Sequence, residues 1–188
     1  SAFKAQSLSC LTINMPIVVV GGGLTAIDAA TEAQAYYLKQ IESIQHRIED
    51  LKNHNKYNDL INALSQKEKT ELNIWLMHAA ELVQEKYLAN ERNHIFDPAP
   101  LLQKWGGCTI VYRKSIKDSP AVTLNPDEVR HAFKEGLFLL EESEPLEFII
   151  DDANHVTGIL VQKFNQKTTL PARSVIVAVG TTHIADSL

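Results

Sequence analysis

Residues 16–30 read Pro16-Ile17-Val18-Val19-Val20-Gly21-Gly22-Gly23-Leu24-Thr25-Ala26-Ile27-Asp28-Ala29-Ala30. A short, β-branched, uninterrupted apolar run ended by glycines has the pattern of a strand buried on both faces. The Ala-rich stretch behind the glycines favours helix. Strand, glycine turn and helix make the first half of a βαβ unit. Within it, Gly21-x-Gly23-x-x-Ala26 matches the dinucleotide fingerprint in its G-x-G-x-x-A form, with the required strand before and helix after. Gly21 permits the tight turn, Gly23 lets backbone approach a pyrophosphate with no Cβ in the way, and Ala26 keeps the helix close to the sheet. The helix start then offers unpaired N–H groups and a positive dipole end to phosphate. A ligand-free βα turn is the plainer alternative, and the matched context favours a bound nucleotide.

The second strand decides which nucleotide is expected. NAD-binding folds end it with an acid that takes the ribose hydroxyls. Here Cys108-Thr109-Ile110-Val111-Tyr112 leads into Arg113-Lys114, with no acid in place. An Arg and a Lys suit the dianionic 2′-phosphate of NADPH, and Arg can hold it bidentately. A merely solvated basic strand end is the competing reading. NADPH is the expected cofactor, with NADH left open. The second strand should follow about 20 residues after the glycines, so the residues between need their own account.

That account is helical. Apolar residues recur at Tyr37, Ile41, Ile44, Ile48 and Leu51, the seam spacing of a coiled coil. Residues 54–59 read as a break. A second helix starts near Ser65, where Glu68 completes a capping box; Asp97-Pro98-Ala99-Pro100 reads as its end, and Leu101 to Trp105 as one further turn or two. We therefore expect an α/β, Rossmann-like domain with a parallel sheet and a small antiparallel meander, interrupted by an inserted antiparallel helical hairpin. The expected divisions are 1–35 for the first βα unit, 36–104 for the insertion and 105–188 for the remainder. Asn125-Pro126-Asp127-Glu128 is a helix start, and Leu137-Phe138-Leu139-Leu140 a third parallel strand. Leu146–Ile150, Val156–Phe164 and Thr168–Leu170 read as the meander. Ser174 to Gly180 reads as a last buried strand.

Composition excludes several classes. With 45% hydrophobic and 22% charged residues the chain is not disordered. A net charge of −5 with no basic cluster does not favour nucleic acid. The longest apolar run, Met15 to Val20, is too short to cross a bilayer, and nothing reads as a signal peptide. Cys10 and Cys108 form no C-x-x-C pair; they fit a reducing cytosol, and a disulfide is left open. A cytoplasmic location is expected. His78, His94, His131, His155 and His183 lack metal-ligand spacing and read as surface or capping residues. Trp75 and Trp105 read as core or cap, and Asp151-Asp152 as a hairpin turn. The opening Ser1-Ala2 and the early first strand suggest a piece cut from a longer polypeptide.

Val18 to Ala30, then Thr109-Ile110-Val111-Tyr112-Arg113-Lys114-Ser115, resemble the glutamate synthase small-subunit family. So do Ser119-Pro120-Ala121, the Glu128 to Gly136 helix and Val175 to Gly180. That family belongs to the pyridine nucleotide-disulphide oxidoreductases, in which an NAD(P)H domain is inserted into a FAD-binding domain. The likeness covers residues 16–35 and 105–188, and is strongest to proteobacterial FAD-dependent oxidoreductases carrying a helical insertion. It implies that Gly21, Gly22, Gly23, Leu24, Thr25 and Ala26 cradle the pyrophosphate. It further implies that Arg113 and Lys114 hold the 2′-phosphate and that Gly180 and Thr181 lie near the cofactor. The chain departs from the family where Leu24 replaces an Asn and Ser119 a Met.

The resemblance implies an oxidoreductase whose nicotinamide passes a hydride to FAD, the FAD being bound by a flavin domain of the same polypeptide. The cofactors carry that chemistry, so no catalytic residue and no metal ligand is expected here, and the fragment alone is expected to be inactive. Two other classes stand beside this one. One is a stand-alone nucleotide sensor; the other is an interaction module working through the hairpin, including a homodimer. A methyltransferase would want an acid where Arg113 stands.

Overall fold

The computed structural model describes residues 11–179. Four strands, β1 (Ile17–Val20), β2 (Cys108–Val111), β3 (Phe138–Leu140) and β7 (Ser174–Val177), form a parallel sheet in the order β3-β2-β1-β7. Val18 sits opposite Thr109 on one side and Val175 on the other, so β1 is central. Three further strands, β4 (Ser143–Ile150), β5 (Val156–Lys163) and β6 (Gln166–Pro171), form the antiparallel meander that links β3 to β7. This is the α/β, Rossmann-like architecture expected from the sequence.

The uninterrupted Ile-Val-Val-Val run is explained by a core on each face of β1. Ile17 and Val19 pack with Cys108, Ile110 and the small residues Ala26, Ala30 and Ala33 of helix α1 (Leu24–Asn53). That Ala spacing keeps one helical face flat enough to lie close to the sheet. Val18 and Val20 point the other way, into a second core with Val111, Ile159, Val161 and Ala172 of the meander side. Alternation along a strand sends successive side chains to opposite faces, and here both faces are covered.

Position 36, the expected start of the insertion, lies inside α1. This 30-residue helix runs from the glycines to Asn53 and crosses position 36 without interruption. The break is confined to residues 54–56, shorter than expected, because Tyr57–Ala63 forms a short helix, α2. Helix α3 (Gln66–Glu91) opens on the anticipated capping box: Ser65 accepts from the Glu68 N–H, and Glu68 accepts from the Ser65 N–H. It ends at Glu91, earlier than expected, where Asn93 turns the chain with φ 52°. Ala99 and Pro100 do not end a helix; they start α4 (Ala99–Lys104), proline being tolerated in a first turn. Helices α5 (Pro120–Leu124) and α6 (Pro126–Lys134) follow β2. Asn125 precedes α6 as expected, but its side chain makes no capping hydrogen bond.

Helix α3 passes beneath the sheet, along the edge where the strands begin. From its start, Lys67 donates to Asp151 in the β4–β5 turn at 2.7 Å, and Glu71 accepts from Arg173 ahead of β7 at 2.9 Å. Trp75 then donates to Asn14 ahead of β1 at 2.9 Å, and Glu81 accepts from Trp105 ahead of β2 at 2.8 Å. Reading along α3 therefore reads across the meander turn, β7, β1 and β2 in spatial order. Leu82 and Ala79 are fully buried on this helix.

Candidate functional site

The opposite edge, where the strands end, carries the glycines. A cleft of about 750 Å³ opens there, lined by Val20, Gly21, Gly22, Gly23 and Thr25 from the first βα unit. Val111, Tyr112 and Arg113 line it from the end of β2, and Val177 to Val179 from the end of β7. Pro120, Glu144 and Pro145 complete the wall. The chain leaves β1 toward β2 on one side and returns to it through β7 on the other. Open α/β sheets bind ligands at such a topological switch point, outside the carboxyl ends of the strands.

The three glycines do different work. Gly21 has φ 153°, and its N–H donates to Val111 at 3.1 Å; an added Cβ would meet the Ala178 carbonyl and the Ala26 methyl. Gly22 lies flat against the Tyr112 ring, which a Cβ there would overlap. Gly23 differs, for a Cβ built on it would touch nothing within 4 Å. It is the N-cap of α1 and carries no side chain to fill that role. Ala26 and Ile27 N–H groups bond back to the Gly23 carbonyl at 3.0 and 3.4 Å. The N–H groups of Gly23, Leu24 and Thr25 have no partner among the described residues. A helix start with open backbone donors beside empty space is what an anionic ligand requires.

Arg113 and Lys114 lie two and three residues past the end of β2, not on it. Their loop is held firmly. Lys114 accepts from the Glu142 N–H at 3.0 Å, and the Glu141 carboxylate accepts from the Ile116 N–H at 2.8 Å and the Ser115 hydroxyl at 3.3 Å. These bonds, the Ile116 N–H foremost, hold the Glu141 carboxyl below its ordinary range. Both basic side chains are exposed, and among the described residues neither takes part in a hydrogen bond or ion pair. Other basic residues are paired: Arg130 with Asp127, Arg173 with Glu71 and Lys104 with Glu81.

Of the expected site residues, the structure brings Gly21, Gly22, Gly23, Thr25 and Arg113 to one cleft. Leu24 and Lys114 are not among its lining residues, and Ala26, on α1, is buried against the sheet. Gly180 and Thr181 lie outside the described residues, as do Cys10 and His183. Ser119, Tyr112 and Glu144 were missed. Ser119 is fully buried and its hydroxyl donates to the Gly22 carbonyl while accepting from the Ala121 N–H at 3.1 Å. The signal for it was present, since Ser followed by Pro is an N-cap and N1 pair. Glu144 gave no signal, because it reaches the cleft only through the fold of the meander.

Away from the cleft, His78 is neither a surface nor a capping residue. It stacks on Trp105 at 4.3 Å between ring centroids and bonds to the Tyr37 hydroxyl at 2.6 Å. Burial raises the Tyr37 hydroxyl well above its ordinary value, and burial also lowers His78. The buried Tyr37 proton needs an acceptor, and Nδ1 of a neutral His78 is the one within reach. Trp105 is buried and Trp75 partly so, as expected. Cys108 is a buried free thiol pushed up to about 12 by desolvation, and so is inert. Among the described residues there is no cluster of His, Cys, Asp or Glu able to hold a metal, and no helix is long and apolar enough to cross a membrane.

No family model matches the chain. It is 34% identical, over 173 residues, to an uncharacterized protein of Rickettsia prowazekii (strain Madrid E), covering 92% of this chain and 22% of that protein. The chain thus spans about a fifth of the length of that relative. Solved structures similar to it include a thioredoxin reductase from Streptococcus pyogenes MGAS5005, at 14% identity and a TM-score of 0.44, over 87% of this chain and 30% of that one. A thioredoxin reductase from Giardia duodenalis is similar at 15% identity and a TM-score of 0.42, over 87% and 30% of the two chains. A ferredoxin reductase from Rhodopseudomonas palustris matches at 18% identity and a TM-score of 0.33, over 44% and 20%.

Proposed function

We propose that this chain is the NADPH-binding domain of a flavin-dependent oxidoreductase and holds the nicotinamide for hydride transfer to FAD bound by a flavin domain of the same polypeptide. The observation that carries the reading is the pairing of Gly23 with Arg113 in one cleft. Gly23 stands at the start of a long helix, with open space where a Cβ would be and, behind it, N–H groups that have no partner among the described residues. Arg113 lines the same cleft with its guanidinium uncommitted among the described residues. Backbone donors and helix dipole suit a pyrophosphate, and the fork of Arg113 suits a 2′-phosphate. NADPH, when bound, would supply the hydride; this chain's residues would fix where it sits. The glutamate synthase-like resemblance supports the same reading.

Calorimetric titration with NADPH and NADH, on wild type and Arg113→Ala, tests it. NADPH is expected to bind better, and the substitution to weaken it by roughly 10- to 100-fold, as a charged hydrogen bond of about 1.5–3 kcal/mol implies. NADH affinity should change little. Failure of both nucleotides to bind at millimolar concentration overturns the proposal. A second reading, pairing of two copies through the helical insertion, is favoured by the exposed Met77, Val83 and Tyr87 of α3. Sedimentation that stays monomeric at high protein concentration removes it.

A further inference from the structure

Ser119 stands outside the glycine fingerprint, on the far side of β2, 97 residues from the glycine it touches. It is fully buried, and its hydroxyl is fully engaged: the proton goes to the Gly22 carbonyl, and a lone pair accepts the Ala121 N–H at 3.1 Å. The Tyr112 ring closes the side of Gly22 where a Cβ would stand. Tyr112 is itself fixed by two backbone bonds, its N–H to Leu140 at 2.9 Å and its carbonyl from the Ser143 N–H at 3.0 Å. Gly22 is therefore gripped from two directions, whereas Gly23, its neighbour, is held by neither.

The grip has a geometric consequence. A peptide unit is planar and trans, so its C=O and N–H point in opposite directions. Holding the Gly22 carbonyl against the buried Ser119 turns the N–H of Gly23 away from it. Two consecutive glycines would otherwise let that peptide rotate at small cost, since neither has a Cβ to resist. We propose that Ser119 is a positioning residue for the nucleotide: its hydrogen bond to the Gly22 carbonyl locks the Gly22–Gly23 peptide with the Gly23 N–H aimed at the pyrophosphate. The inference rests on the dinucleotide reading of the cleft. Ser119 acts through Gly22 and touches no ligand.

The split between two probes separates this role from general damage. NADPH carries both a pyrophosphate and a 2′-phosphate; adenosine 2′-monophosphate carries only the latter. Each is titrated by NMR shift perturbation into wild type, Ser119→Ala and Arg113→Ala, at a temperature where all are folded. Ser119→Ala is expected to weaken NADPH by about tenfold, the loss of one well-placed hydrogen bond, and to leave adenosine 2′-monophosphate within about twofold. Arg113→Ala should weaken both. Ser119→Cys, which keeps the size with a weaker donor, should fall between. If Ser119→Ala does not fold, Ser119→Cys takes its place, and failure of both variants to fold makes Ser119 a folding residue and overturns the proposal. Equal losses for the two probes, or no loss for NADPH, overturn it as well. A wild type that binds neither probe overturns the nucleotide reading itself, a result distinct from the other outcomes.

Discussion

At the scale of single residues, the adjacent glycines Gly22 and Gly23 should respond in opposite ways to the same change. Gly22→Ala drives a methyl into the Tyr112 ring, and overpacking of that kind costs about 1–3 kcal/mol; a lowered melting temperature checks it. Gly23→Ala meets open space and loses only a fair N-cap, within about 1 kcal/mol. Its NADPH affinity should nonetheless collapse, because the new methyl occupies the approach of the phosphates. A Gly23→Ala variant that folds and still binds NADPH normally would sink the cradle. Glu144 offers a further test, as the acid that shares the cleft with Arg113. Glu144→Gln should tighten NADPH severalfold at low salt by removing a like charge, and salt should erase the gain. His78 gives the pH dependence. Burial lowers its folded pKa below the unfolded value near 6.5, so the unfolded chain binds more protons in the window between them. The stability contributed by neutral His78 is present above that window and is lost as pH falls through it. Melting temperatures from pH 7.5 to 5 should decline less in His78→Asn than in wild type.

At the scale of elements, the legible parts were those whose signals are local. The β1 run, the Ser65–Glu68 box and the Pro126 helix start each involve a few neighbouring residues, and each stands where the pattern placed it. Ends governed by tertiary packing were harder. The end of α3 shifted to Glu91 because Asn93 adopts a left-handed turn that the Pro98 signal, several residues on, could not announce. His78 was misread because its partners Tyr37 and Trp105 come from two other helical segments. Arg113 was legible as a basic residue two positions past a strand end, whereas Glu144 reaches the cleft, and Ser119 its contact with Gly22, only when distant segments meet. The placement of α3 also carries a prediction. Leu82 is fully buried beneath the sheet, at the edge away from the cleft. Leu82→Ala should cost about 2–5 kcal/mol in denaturant unfolding, with NADPH affinity of the folded protein unchanged. A matching loss of affinity would mean that α3 reaches the cleft.

At the scale of the whole molecule, the two edges of the parallel sheet are assigned to different tasks. The edge where strands end carries the glycines and Arg113, and the edge where strands begin is bound to α3. Residues 36–104 thereby lengthen the chain between β1 and β2 without adding a residue to the lining of the cleft. Helix α1 joins the two edges, and its length has a practical use. Thirty residues at 1.5 Å each make a rod of about 45 Å, with the glycines at one end and α2 beyond the other. Helix α2 has no buried residue. A fluorophore or a small reporter protein spliced there would ride far from the cleft, an optical handle that leaves the glycines and Arg113 untouched.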